Sequence, residues 1–308
     1  MHDIVIGYDG SDRGHDALSL GRSLAELLRP GDDGEPPDVE VALVFPDGAV
    51  GASGERTLDG DHRRGADHIL DGARQAWPEL GLGAFHVVQA GSVSAGLHRL
   101  AQERDAAVLV VGASHRSAAG RVFPGSATEQ TLHGSPCAVL VAPPGYAAAA
   151  RPLRRVGVAY DGSQEARTAL DAVRRLAGRR DDVTVVAIDV VDLAPPLAIP
   201  YDYPGRIADL QAIADVHLRD AGTALADMPH VELDRRDGDP VRELVDASHG
   251  LDLLALGSRG HGPLRRLLLG SVSAHVVRHA ACPLLLLAHG AEVPAADAVP
   301  AEREGAGA

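Results

Sequence analysis

The chain has 308 residues, 45% of them hydrophobic, and a formal charge of −14 at pH 7. Its length suggests two units of about 150 residues each, and its acidic balance, with a pI near 5.4, argues against a nucleic-acid or anionic-membrane surface. All 29 basic side chains are arginine, so a Walker A, kinase-type or Schiff-base lysine is excluded outright.

In chain order, Ile4 to Ser11 (I-V-I-G-Y-D-G-S) reads as a buried strand breaking into a turn. A strand so near the first residue leaves no room for a signal peptide. No run of eighteen apolar residues predicts a membrane span, so a cytoplasmic protein is expected. Ser11 suits a helix N-cap. Ala17, Leu18, Gly21, Leu24, Ala25 and Leu28 then mark one helical face. Strands are expected over 39–44, 85–89, 107–111 and 138–142. Helices are expected over 61–76, 93–104 and 126–133.

Val156 to Ser163 (V-G-V-A-Y-D-G-S) repeats the opening segment. Asp9 and Asp161 lie 152 positions apart, whereas Gly112 and Gly257, Gly125 and Gly270, and Cys137 and Cys282 each lie 145 apart. The chain is therefore two copies of one unit, the first longer by a net seven residues in its middle. A period this long means duplicated domains rather than a solenoid. In the second copy Ala166, Ala169, Leu170, Val173, Leu176 and Ala177 form the first helical face. Further strands are expected over 183–188, 231–234, 251–256 and 283–288, and helices over 207–225, 240–248 and 271–279. A Pro/Tyr loop fills 192–205. The boundaries that follow are 1–146 for the first domain, 147–152 for a linker, 153–290 for the second domain and 291–308 for a disordered tail. Alternating strands and helices imply an α/β fold of two tandem, open, parallel five-stranded sheets with helices on both faces.

The segment from Gly257 to Ser273 (G-S-R-G-H-G-P-L-R-R-L-L-L-G-S-V-S) sits where a buried strand ends and a helix begins. An open parallel sheet places its ligand beyond that strand edge. Glycine there allows close approach to an anion and positive φ. The helix start supplies free N–H groups and the positive end of a dipole. Gly270, Ser271 and Ser273 present such donors together, which points to phosphate. Asp161 closes the unit's first strand, where a carboxylate can accept from a ribose hydroxyl or an adenine amino group. Its alternative role is an Asp-Gly-Ser turn that caps the next helix. Recurrence in both copies favours binding. Arg259 suits either a phosphate contact or a solvated loop. His261 suits the loop better, and Arg265 and Arg266 fit both readings.

The spacing G-x2-G-x9-G-S, from Gly257 through Gly260 to Gly270 and Ser271, resembles the nucleotide motif of the universal stress protein family. The resemblance covers nearly the whole chain. It implies a Rossmann-like fold of the adenine nucleotide α-hydrolase type, doubled and packed as an intramolecular pseudo-dimer through the last strands. Asp161 matches the family's first-strand aspartate, Ile188 its apolar residue against adenine, and Gly257, Gly260, Gly270 and Ser271 its phosphate loop. Ser273 matches the next hydroxyl, and the Gly-Asp-Pro at 238–240 is also family-like. The implied cofactor is ATP, with Mg²⁺ as a candidate bridge between phosphates. The implied role is regulatory, in a stress response. A further homodimer and an unidentified protein partner are compatible with it. In the first copy His115 replaces the second glycine. Asp9, Val44, Gly112, Gly125, Ser126 and Thr128 remain as a second, weaker site.

Two other readings stay open. One is an interaction or scaffold module of the same fold that binds no nucleotide. The other is an enzyme, such as a slow ATPase. The chain lacks the His-x-x-His and Ser-Gly-Gly-x-Asp-Ser signatures of related transferases and pyrophosphatases, and no paired acid and base stands out. No catalytic residue and no metal ligand is assigned. Cys137 and Cys282, at equivalent positions before the last strands, read as buried apolar residues.

Overall fold

Each half begins on a central strand and adds its later strands outward on either side of it. A computed structural model of the chain describes residues 4–29, 37–46, 60–80, 84–113, 127–149, 151–178, 180–193, 203–258, 269–287 and 293. The first half contains β1 (Ile4–Gly7), α1 (Asp12–Leu27), β2 (Val39–Pro46), α2 (Gly60–Ala76), β3 (Phe85–Ala90), α3 (Val93–Glu103), β4 (Val108–Gly112), α4 (Ala127–Leu132) and β5 (Ala138–Ala142). The second contains β6 (Arg155–Ala159), α5 (Gln164–Ala177), β7 (Thr184–Asp192), α6 (Tyr203–Ala224), β8 (Val231–Gly238), α7 (Pro240–Ser248), β9 (Leu253–Gly257), α8 (Ser271–His279) and β10 (Leu284–Leu287).

The two expected sheets are in fact one. Its ten strands run in the order β3-β2-β1-β4-β5-β10-β9-β6-β7-β8. Pairing within each half is parallel. The halves join where β10 pairs antiparallel with β5, Leu284 with Val141, Leu285 with Leu140 and Leu286 with Val139. Leu140 and Leu285 are repeat counterparts, so the seam pairs each half with the same register of the other. An unpaired edge strand of this composition would be a template for aggregation, and the duplication covers it within one chain. Helices α1, α2, α5 and α6 contribute to one apolar layer. Helices α3, α4, α7 and α8 contribute to the other. Burial on both faces explains why strands such as β4 and β10 are continuously apolar. Across the seam Arg278 of α8 meets Glu129 of α4 at 2.9 Å.

Several expected boundaries move. β7 runs on to Asp192, into the expected loop, and α6 starts at Tyr203. β8 continues to Gly238 beside it. The segment after β5 is held in place. A 3-10 turn over Tyr146–Ala148 is fastened to α1 by Asp16, whose buried carboxylate accepts from Gly145 N (2.9 Å) and Ala147 N (2.8 Å). Asp16→Ala is expected to lower stability by about 1–2 kcal/mol, since water replaces the lost acceptor at two exposed residues. Urea denaturation, with amide exchange at Gly145 and Ala147, checks this. Of the tail expected over 291–308, only Val293 is described, and it is buried in the first layer.

Candidate functional site

The strand order reverses direction between β6 and β9, because β7 follows on one side of β6 and β9 on the other. Main chain diverges at such a switch point and leaves a crevice beyond the strand ends. A crevice of about 330 Å³ lies there in the second half. Its walls include Asp161 after β6, Ile188 in β7, Pro240 of α7, Gly257 of β9, and Gly270, Ser271 and Ser273 at the start of α8. The structure thus brings together six of the eight residues expected for this site. Arg259 and Gly260 lie outside the described residues, as do His261, Arg265 and Arg266.

The two helix starts that open on the crevice differ. At α5, Ser163 caps through its hydroxyl, which accepts from Ala166 N at 3.2 Å. Asp161 Oδ1 in turn accepts from Ser163 N at 3.0 Å. Gly162 between them has φ +72°, a left-handed conformation that a side chain rarely adopts. The capping role considered for Asp161 is therefore real, but it occupies one oxygen only, and the residue is exposed on the crevice wall. At α8 the N-cap is Gly270, which has no side chain to cap with. The first amides of a helix have no partner inside it, and Gly270 supplies none, so the start of α8 keeps its donors for a ligand.

The geometry of these residues adds detail to what the sequence implies. Gly257 and Gly270 are not in the left-handed region; Gly270 has φ −71°. Glycine is needed at 257 for a different reason, since a Cβ there would lie 2.4 Å from the Glu165 carbonyl oxygen. Ser273 lies on the crevice wall and its hydroxyl makes one long contact to main chain. Its Oγ donates to Gly257 O at 3.5 Å, and Thr128 does the same to Gly112 O at 2.8 Å in the first half. Finally, Val44 is not the counterpart of Ile188. Tyr8 N donates to Ala42 O and Tyr160 N to Ile188 O, so Ala42 matches Ile188 and Val44 matches Val190.

The first half has a smaller crevice of about 130 Å³, with Asp9, Val44, Gly112 and Thr128 in its walls. Asp9 Oδ1 accepts from both Ser11 N and Ser11 Oγ. Helix α4, in the place of α8, has six described residues, and those before Ala127 lie outside the described part. Gly125, Ser126 and His115 lie outside the described residues.

Sequence and structure comparisons agree on what carries this arrangement. The model of the universal stress protein family matches residues 1–143 and again residues 152–288. The chain belongs to the universal stress protein family. It is 30% identical over 219 residues to a universal stress protein of Mycobacterium tuberculosis, covering 66% of this chain and 72% of that protein. A universal stress protein of Thermus aquaticus is 30% identical over 133 residues, 42% of this chain but 95% of the relative. Relatives thus occur at the size of one half. A universal stress protein structure from Archaeoglobus fulgidus overlays with a TM-score of 0.62 at 19% identity, covering 94% of this chain and 96% of that one, a likeness of fold.

Sequence reasoning missed the acidity of this universal stress protein's second crevice. Besides Asp161, its walls hold Glu165, Asp189 and Asp192, and no basic side chain among the described residues. The first-half crevice has Arg13 where the second has Glu165. Asp189 is buried, and its Oδ2 lies 2.8 Å from His217 Nδ1 on α6. Burial pushes its carboxyl above the usual carboxylate range; the hydrogen bond from His217 opposes this, and the charge of Asp161 adds to it. Nothing local signals the pair, which is 28 residues apart in sequence. The cysteines behave as expected of buried apolar residues. Both are free, and burial pushes both thiols up to about 12. Among the described residues no group of side chains could hold a metal, and no helix is long and apolar enough to cross a membrane.

Proposed function

We propose that this universal stress protein binds an adenine nucleotide of the ATP type, chiefly in the second-half crevice, and serves as a nucleotide-responsive regulator in a stress response. One observation carries the reading: the uncapped start of α8 opens on the same crevice as Asp161, at the switch point of the sheet. Phosphates suit the α8 amides and helix dipole. The sugar or base suits Asp161 and the apolar wall of Ile188 and Val190. A crevice of about 330 Å³ is at the lower end of what small-molecule sites use. Mg²⁺ would bridge phosphates and offset the surrounding carboxylates. The smaller first-half crevice, with Asp9 engaged twice by Ser11, supports a lesser role there.

Calorimetric titration of ATP into the full chain tests this. Asp161→Ala is expected to weaken binding about tenfold or more, or about 1.4 kcal/mol; Asp9→Ala is expected to weaken it much less. ATP at a hundred times its dissociation constant should also stabilise the native state by about 2.7 kcal/mol. A melting temperature unmoved by millimolar ATP with Mg²⁺ would favour the scaffold reading.

A further inference from the structure

We infer that the Asp189–His217 pair is a proton-linked control on the second-half crevice: an anionic ligand that enters it draws a proton onto this pair. The inference rests on the nucleotide reading above and concerns the regulation of that same site.

The two halves differ at the decisive positions. The backbone register that matches Ala42 with Ile188 also matches Leu43 with Asp189. In the first half, the side chain over the glycine of the Asp-Gly-Ser turn is Ile69 of α2, whose Cγ2 would lie 3.1 Å from a Cβ at Gly10. In the second half His217 of α6 takes that place, with Cδ2 at 2.5 Å and Nε2 at 2.8 Å from a Cβ at Gly162. An apolar pair, Leu43 and Ile69, is thus replaced by a hydrogen-bonded acid and imidazole. The turn keeps its shape in both halves, with Asp9 or Asp161 bonded to the serine amide at 3.0 Å. Its geometry therefore does not require the polar pair. What the pair adds is a place for a proton beside Asp161.

The surroundings make that proton matter. Charged side chains on the elements packed against the pair include Asp161 on the turn, Glu165 on α5, Asp192 on β7, Asp209, Asp215, Arg219 and Asp220 on α6, and Asp234, Arg235, Arg236 and Asp237 on β8. Arg236 is bonded to Asp234 at 2.8 Å. Arg235 is opposite Asp189 in register but is bonded to Asp215 at 2.7 Å. Negative charge therefore prevails before any ligand arrives. A polyphosphate brought into this crevice raises the cost of every carboxylate charge in it. The sign follows from linkage. A ligand that raises the proton affinity of the pair binds more tightly as pH falls, by at most about tenfold per pH unit for one proton. The first half, with Leu43 and Ile69, lacks this dependence.

The test is calorimetry of ATP binding to the full chain in EDTA, at fixed pH, in two buffers of very different ionisation enthalpy. Wild type is compared with the double variant Asp189→Leu/His217→Ile, which installs the first half's own pair, and with His217→Gln. ATP's own protonation is common to all three proteins, so the difference between them is what is read. Wild type should take up more protons than either variant, and its affinity should tighten several-fold more between pH 8 and pH 6. Equal proton uptake in wild type and both variants, with binding intact, overturns this inference alone. Absence of any saturable ATP heat in wild type, both in EDTA and with Mg²⁺ present, overturns the nucleotide reading, and this inference with it. Saturable heat with Mg²⁺ but none in EDTA moves the same comparison of the three proteins into Mg²⁺.

Discussion

Leu285→Asp is expected to abolish cooperative folding of the whole chain, not of the second half alone. Leu285 is 1% exposed and sits in β10 with β5 on one side and β9 on the other. It pairs with Leu140, itself fully buried, and both belong to the same apolar layer. Truncating such a leucine costs about 2–5 kcal/mol through lost burial and the cavity left behind. Burying a carboxylate without a partner adds several kcal/mol more, about 3–5 kcal/mol by comparison with broken buried ion pairs. The sum reaches the range of about 5–15 kcal/mol that holds a typical domain folded. Both halves lose, because β10 is the strand that covers the edge of β5. Leu285→Ala, which carries only the first cost, should stay folded with a lower urea midpoint. Because Leu140 and Leu285 touch across the seam, alanine at both should cost less or more than the sum of the singles, not the sum itself. Far-UV circular dichroism during urea titration checks all of these. A Leu285→Asp chain with the wild-type midpoint would mean that the seam strands do not pair in solution.

Particular residues explain what could be read in advance. The two Asp-Gly-Ser turns and the continuous apolar strands were legible because each depends on local geometry, a left-handed glycine in one case and two-sided burial in the other. The joining of two sheets into one was not legible in the strands' own composition, because V-L-V and L-L-L say that a strand is covered without saying by which neighbour; only the family resemblance pointed to the last strands as the seam. The strand expected over 183–188 ends just before Asp189, whose partner His217 lies on α6, 28 residues away in sequence. Ser273 shows a similar limit. Its hydroxyl has a ligand in prospect by sequence, but a carbonyl at hand in the fold. Ala42, not Val44, is the register counterpart of Ile188, and this two-residue offset stays on one face of the strand, so a period-two pattern does not reveal it.

Gly257→Val is expected to disable the crevice and destabilise the second half together. A Cβ at 257 would lie 2.4 Å from the carbonyl oxygen of Glu165 and 2.5 Å from its carbonyl carbon. Both are backbone atoms in the first turn of α5, so no side-chain rotation relieves the contact. The first half has the same device, with Gly112 against Arg13 O at 2.3 Å. Relief requires α5 to move off the end of β9. Its N-terminus carries the Ser163 cap and, through Ser163 N, the Asp161 turn. The wall of the crevice that holds Asp161 therefore moves with it. Overpacking of this kind costs about 1–3 kcal/mol and sometimes more, and valine adds bulk beyond the Cβ. The expected result is a lowered urea midpoint, with ATP binding weakened about tenfold or more in the protein that remains folded. Gly250→Ala is the control. Its Cβ would approach nothing closer than 3.7 Å at an exposed turn, so its effect should stay within about 0.5 kcal/mol. Equal midpoints for Gly257→Val and Gly250→Ala would show that α5 and β9 are not in contact at this point. The role given to Gly257 here, to let helix and strand meet, would then fall, and its place in the glycine loop would need another cause.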